Sequence, residues 1–392
     1  MFYTRKILPQ LEKELKTEEI IVLTGMRQVG KTTLLKYLFD KIPSKNKVLL
    51  DLENPLHRRA FEEENFDNIW NNLAEFAVNK EEKAYIFLDE IQNLPQVNQA
   101  VKYLFDHWQP KFFLTGSASF YLKNLFSESL AGRKLIFELF PLTFKEFLTF
   151  KNIKKGFAKK FSQKAKNKNK IAHGRFIKYY QEFIEFGGFP KVVLEKDPKR
   201  KKKLLEEIFK SYFEKDVKTL ADFKQISKLR DLILLLVPRV GSKVEIAKLA
   251  SELSLTRETI YSYLSFLEQT YFISLLPRFS KSIDRQAAGR KKLFFCDSGL
   301  ANFLGKISLG QLFEQSVFQN LRPDFKLCFY SKKGKEIDFI VDKRIALETK
   351  LSFSKKDLSD LLKRSEKLKV KEKYLAVLNY NANPQTILAI DL

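Results

Sequence analysis

Between the apolar pentapeptide Ile20-Ile21-Val22-Leu23-Thr24 and a helix-forming run from Lys31 to about Ile42 lies Gly25-Met26-Arg27-Gln28-Val29-Gly30-Lys31-Thr32, which satisfies G-x-x-x-x-G-K-[ST] at every position. The pattern has meaning only where a buried strand feeds a loop that opens a helix, and both flanks are present. Glycines at 25 and 30 let the backbone curl until its N–H groups converge. The start of the following helix adds the positive end of its dipole. Such a cradle grips phosphate. Residues Gly25, Met26, Arg27, Gln28, Val29, Gly30, Lys31, Thr32 and Thr33 are therefore assigned to ATP, with the Lys31 ammonium reaching the β- and γ-phosphates and the Thr32 hydroxyl ligating Mg²⁺. Arg27 is expected to meet either phosphate or a neighbouring subunit.

The run Tyr85-Ile86-Phe87-Leu88-Asp89-Glu90 supplies the acidic partners. Four apolar residues bury a strand and leave Asp89 at its carboxyl end beside Thr32 and the metal. Glu90, one residue on, is expected to act as general base on the attacking water. Apolar runs at 20–24, 47–51, 84–89 and 111–115 alternate with helical patterns at 31–42, 56–81 and 96–107. Strands of that kind, buried on both faces, predict a parallel sheet covered by helices. The expectation is an α/β chain with a P-loop NTPase core over residues 1–150, in which Thr115 and Ser117 close a strand near the γ-phosphate.

Charge divides the chain. Residues 1–150 hold 20 Lys/Arg and 20 Asp/Glu, whereas residues 151–392 hold 51 Lys/Arg and 27 Asp/Glu, so the net charge of +24 lies in the second part. A neutral core joined to a basic remainder points to a polyanionic partner, most simply nucleic acid, or to a lysine-rich composition displayed on solvated helices. Two cysteines, Cys296 and Cys328, have no zinc-ligand spacing. With no secretory signal and no apolar run of membrane-spanning length, a cytoplasmic setting is expected.

Residues 151–175, with Lys-Asn-Lys-Asn-Lys and few apolar side chains, read as a basic linker. Residues 176–242 read as a helical domain, in which the Pro-Lys-Arg-Lys-Lys-Lys run at 198–203 is either a phosphate contact or a solvated helix start. Residues 243–300 read as a winged helix-turn-helix. Its second helix, from Arg257, offers Arg257, Thr259 and Ser262 to a DNA groove, while Glu258 and Glu268 oppose such contact.

Thr115-Gly116-Ser117-Ala118-Ser119, Ser129-Leu130-Ala131-Gly132-Arg133 and the stretch from Leu139 to Phe147 resemble archaeal and bacterial AAA-type ATPases of the STAND-like branch. The resemblance runs on through Phe186-Gly187-Gly188-Phe189-Pro190, Tyr212–Val217 and Cys296-Asp297-Ser298-Gly299-Leu300 to the tail. It implies that Thr115 or Ser117 senses the γ-phosphate. It makes Arg133 a sensor or arginine finger, as an alternative to an ion pair bracing the next strand. The complete cradle together with the charge asymmetry points to an ATP-hydrolysing switch with a nucleic-acid-linked role, with nucleotide and Mg²⁺ between the core and the helical domain. The winged helix then serves DNA or relays a conformational change. The competing class is a regulatory scaffold on which ATP is a conformational ligand and the tail grips a protein. The resemblance leaves the oligomeric state open.

The tail, residues 301–392, is expected to form a small α/β domain similar to the PD-(D/E)xK restriction-endonuclease fold. Glu314 on a helix precedes Asp338 in one strand, and Glu348-Thr349-Lys350 end the next. Alternation puts Glu348 and Lys350 on one face. Asp338 and Glu348 then form a second metal site, with Lys350 orienting water. One reading of this site is an ATP-gated, Mg²⁺-dependent nuclease; the other is an inert remnant of the fold, used for docking or DNA-end contact.

Overall fold

The computed structural model describes residues 2–117, 132–218, 225–280, 289–332 and 334–392. It divides into two compact units, one of residues 1–140 with 269–271 and one of residues 141–268 with 272–392. Among the described residues no helix is long and apolar enough to cross a membrane.

The first unit is built on five parallel strands: β1 (Ile20–Thr24), β2 (Lys47–Asp51), β3 (Tyr85–Asp89), β4 (Lys111–Gly116) and β5 (Lys134–Glu138). They lie in the order β2-β3-β4-β1-β5. Every residue of β1 and β4 is buried, which is why both read as unbroken apolar runs. Ile20, Val22, Ile86, Leu88, Phe112 and Leu114 pack on one face against Trp70, Val101 and Leu104. The chain leaves β1, passes β4 and β3 to build β2, and later returns to add β5 on the other side of β1. The carboxyl ends of β1, β3 and β4 therefore meet where open α/β sheets take their ligands.

Two features differ from the sequence-based expectation. The edge strand β5 is only half-buried, so its pattern carries no continuous apolar signal. The 56–81 stretch contains just two short helices, Pro55–Arg59 and Asn68–Ala74. The first ends at Arg59 with Ala60 as its C-cap, and before the second the Asn65 side chain accepts from the Asp67 amide at 3.0 Å, a local bond that competes with helix.

The second unit opens with helix Phe144–Phe150, capped by reciprocal bonds between Thr143 and Glu146. The 151–175 stretch is not a free linker. It carries helix Phe161–Lys166 and the start of helix Lys170–Phe186, with Phe161, Ala165 and His173 buried. His173 Nε2 lies 2.9 Å from the Leu378 carbonyl, and Lys168 donates to the Thr386 hydroxyl at 2.8 Å. Lysines that lie along protein surface and spend their ammonium groups on strand-end oxygens look like solvated charge in a sequence.

Helices Pro198–Ser211, Ile226–Leu236, Ile246–Leu253 and Arg257–Gln269 follow, then the antiparallel pair β6 (Ile273–Leu276) and β7 (Lys292–Phe295). The basic run at 198–203 opens a helix capped by Asp197, and Lys201 is buried on Glu182 at 2.7 Å. After helices Ser298–Leu304 and Leu309–Leu321 comes a second five-stranded sheet, β12-β11-β10-β9-β8. Its strands are β8 (Leu327–Lys332), β9 (Lys335–Val341), β10 (Ile345–Lys350), β11 (Glu372–Val377) and β12 (Thr386–Leu388). β8, β9 and β10 pair antiparallel, while β10, β11 and β12 pair parallel around helix Lys355–Ser365.

Asp297 is the polar hinge-pin of this unit. It is fully buried and accepts from Gly188 N (2.6 Å), Leu300 N (2.9 Å) and Gln319 Nε2 (3.0 Å). Gly187, at φ 77°, leaves room for it, because a Cβ there would come within 1.9 Å of Asp297 Oδ1. Burial pushes the Asp297 carboxyl up to about 6, against the pull of the hydrogen bonds it accepts from Gly188, Leu300, Gln319 and Gly299. The folded chain thus holds a proton that the unfolded chain releases, so this group's contribution to stability falls as pH rises from 3.8 to about 6. Asp297→Ala orphans buried donors and should cost on the order of 3 kcal/mol. It should also flatten that pH dependence, as read by urea unfolding followed by circular dichroism.

Candidate nucleotide site

The loop between β1 and helix Lys31–Lys41 has the curl that the glycine spacing requires. Gly25 sits at φ 151°, Gln28 at 64° and Gly30 at 102°. A Cβ on Gly25 would fall 2.1 Å from the Leu139 carbonyl oxygen, so no other residue fits without moving backbone. That approach is fixed by the Leu139 N–H, which donates to Thr24 O at 2.7 Å as the chain leaves β5. Met26 and Val29 are buried and anchor the loop in the core. From outside, the buried Arg5 guanidinium donates to Val29 O and to Phe140 O, each at 2.7 Å.

Lys31 is 4% exposed, and its ammonium donates to the carbonyls of Gly25 (2.9 Å) and Met26 (3.2 Å). It is therefore held over the loop. Thr32, half-buried, hydrogen-bonds to Asp89, whereas Thr33 is exposed. Asp89 is buried at the end of β3, and its carboxylate also accepts from the Thr115 hydroxyl. Burial raises the Asp89 pKa, and the Thr115 and Thr32 hydroxyls pull it back.

Thr115, at the end of β4, also accepts from the Glu90 amide at 3.1 Å, so one hydroxyl joins the two acidic residues. Glu90 stands at φ 54°, a left-handed backbone that a non-glycine residue seldom adopts and that turns its side chain out of the strand direction. Its carboxylate accepts from Gln92 Nε2 and lies 3.8 Å from the Arg27 guanidinium. The buried Gln92 in turn accepts from the Ser117 amide at 3.4 Å. Lys31, Thr32, Asp89, Glu90, Thr115, Ser117 and Arg27 are thus brought together. Gln92 and Arg5 escape a reading of the sequence alone. The first follows the acidic pair by two residues without belonging to a motif, and the second acts across 24 and 135 positions.

Arg133 is placed elsewhere. Its backbone carbonyl accepts from Ile20 N at 2.8 Å, so it marks the amino end of β1, the end away from the loop. Its side chain is ion-paired with Asp106 at 2.8 Å. Of the two readings of this residue, the geometry within the chain corrects the sensor to the bracing ion pair. Ala118, Ser119, Ser129, Leu130 and Ala131 lie outside the described residues.

The tail residues converge as the order of strands and helix predicts, but each carboxylate already faces a protein cation. Glu314 lies 2.6 Å and Asp338 3.0 Å from Lys292 Nζ. Asp338 also accepts from Thr349 N and Oγ1, at 2.9 and 2.7 Å. Glu348 pairs with Lys350 at 3.2 Å and with Arg364 at 3.0 Å. The expected second metal pair, Asp338 and Glu348, therefore lies with both carboxylates bonded to protein cations. Among the described residues no group of three or more His, Cys, Asp or Glu side chains is disposed to hold a metal ion. In the helix-turn-helix segment Arg257 and Ser262 are exposed, whereas Thr259 is bonded to Thr256.

Residues 17–148 match the family described as AAA domain, and residues 177–311 match a domain of unknown function (DUF8612). A protein of Methanocaldococcus jannaschii, the uncharacterized protein MJ1544, is 32% identical over 347 residues, which covers 84% of this chain and 74% of that protein. The chain belongs to the MJ1544 family. An uncharacterized protein of Haemophilus influenzae shares 28% identity over 88% of this chain and 84% of its own length. Among solved structures, the Thermotoga maritima RuvB Holliday junction branch migration motor matches 70% of this chain and 91% of its own, at 17% identity and a TM-score of 0.33. Drosophila ORC bound to AT-rich DNA and Cdc6 matches 76% and 89%, at 12% identity and a TM-score of 0.27. Likeness at that level says nothing of what a member of the MJ1544 family binds.

The AAA domain of this chain is therefore a parallel α/β core with its phosphate loop at the carboxyl end of β1. Gly25→Ala sets a Cβ against the Leu139 carbonyl and forces an unfavourable φ, at a cost of at least ~2 kcal/mol. Gly174→Ala, in open space on an exposed helix face, should instead stabilise by about 0.5–1 kcal/mol. Parallel thermal melts of the two variants check the contrast.

Proposed function

We propose that the chain binds ATP with Mg²⁺ at residues 25–33 and hydrolyses it, using the cycle as a conformational switch. The observation that carries this reading is the Lys31 ammonium held over the loop by two loop carbonyls, beside an Asp89 whose bonded partners are hydroxyls. These residues fit the ligand. A phosphate entering the loop exchanges with carbonyls for the Lys31 ammonium, and Asp89 with Thr32 is an all-oxygen pair suited to a hard cation. When bound, Mg²⁺ neutralises phosphate charge and polarises the bond to be broken.

Glu90 is the base in this proposal. Its held position, between Gln92 and Arg27, sets it next to Thr115 and, through Gln92, to the Ser117 amide. A change at the γ-phosphate end is therefore one hydrogen bond away from the base. Loss of the Gln92 link frees the carboxylate to orient water.

The charge of residues 151–392, 51 Lys/Arg against 27 Asp/Glu, supports nucleic acid as the polymer on which the switch acts. In this reading the helices Ile246–Leu253 and Arg257–Gln269 with the β6–β7 ribbon form the winged helix. A regulatory scaffold gripping a protein is the competing class, and absence of DNA binding at low salt favours it.

Lys31→Ala should lower ATP turnover by on the order of 100-fold or more with the far-UV spectrum unchanged. Unaltered turnover in that variant defeats the assignment. Binding of duplex DNA, followed by fluorescence anisotropy, should weaken linearly in log salt with a slope of about −0.9 per phosphate neutralised.

A further inference from the structure

We propose that Lys292 is a built-in counter-ion that takes the place of a metal in the carboxylate cluster of the tail, so that the chain neither loads a divalent cation there nor cuts nucleic acid with it. The residue is the first of β7, and its side chain is 1% exposed. Its ammonium lies 2.6 Å from Glu314, 3.0 Å from Asp338 and 3.1 Å from Glu336. Glu336 and Asp338 are two residues apart on β9 and so face the same way, while Glu314 comes from helix Leu309–Leu321. Three carboxyl groups converge on one point, and that point is filled by a buried lysine nitrogen.

Other cations complete the closure. Lys243 holds the second oxygen of Glu336 at 2.8 Å, and Lys350 and Arg364 hold Glu348. Four carboxyl groups thus face four protein cations, and burial pushes the Glu314 carboxyl up to about 8, so the cluster has no unspent negative charge. Backbone lies close on the Glu314 side, where a Cβ on Gly241 would fall 2.7 Å from Glu314 Oε2. Burial alone would favour the neutral amine of Lys292, but Asp338, Glu314 and Glu336 reverse that and raise its pKa above the ordinary lysine value.

The same contact sets what the tail is for. Lys292 ties β7 to the tail sheet, and the segment just after β6 continues the tie: Phe329 N donates to Pro277 O and Phe279 N to Phe329 O. The ribbon and the second sheet are one packed body with an ion cluster at its joint.

The inference is independent of the nucleotide reading, and its test is made on the full chain without nucleotide. Lys292→Met leaves buried carboxylates uncompensated and should lower the melting midpoint by about 10 °C. Added Mn²⁺ should restore much of that loss in the variant and leave the wild-type midpoint unmoved. Lys292→Met/Glu314→Gln/Glu336→Gln, with charge removed on both sides, should regain the midpoint without Mn²⁺, which separates lost charge from lost packing. Wild-type chain that binds Mn²⁺ in a manner abolished by Asp338→Asn, or that nicks plasmid in Mg²⁺ or Mn²⁺, overturns the proposal. So does a Lys292→Met variant whose midpoint neither falls nor responds to Mn²⁺.

Discussion

The close approach of the Leu139 carbonyl to Gly25 governs the first unit. Where the two backbones meet there is no room for a Cβ, and β1 must turn out of the sheet at that residue. The turn sends Met26 and Val29 into the core, swings the backbone amides round to the start of the next helix, and brings Lys31 back over the carbonyls it bonds. A larger residue at this point would not merely lose a contact. It would separate β1 from the exit of β5, and with it the support beneath the whole loop.

The chain treats its two buried acidic centres in opposite ways. Asp89 is bonded by hydroxyls, and burial lifts its pKa, so it pays for its place with unspent negative charge. Asp338 is half-buried, and Lys292 and Thr349 outweigh its desolvation and lower its pKa. A carboxylate left to hydroxyls is open to an incoming cation, whereas one locked to an ammonium has spent that capacity on the fold. The two units thus divide the work, one keeping charge available and the other consuming it internally.

How much of this the sequence discloses depends on distance along the chain. The loop, β1, β3 and their acidic residues are legible because glycine spacing and buried apolar runs are local signals. The convergence of Glu314, Asp338, Glu348 and Lys350 is legible too, from strand alternation and element order. Lys292 is not: one lysine among many, it acquires its role only when β7 is laid beside the tail sheet. Nor is the packing of 151–175, where lysines cap strand-end oxygens. Arg133 misleads for a related reason. Its neighbours in sequence resemble a motif, but the start of a parallel strand lies at the opposite end of the sheet from the start of the helix after β1.

The place of β5 in the sheet has a consequence for how the chain is made. β5 comes last of the five strands to leave the ribosome, yet it pairs with the first, β1. Until about residue 140 has emerged, one edge of β1 is bare, Arg5 lacks the Phe140 carbonyl, and Gly25 has no backbone to turn against. A nascent chain of four strands therefore carries the complete phosphate motif in a loop without its final shape. The loop takes its final shape only once the fifth strand is added, and until then the bare edge of β1 is open to pairing with another strand.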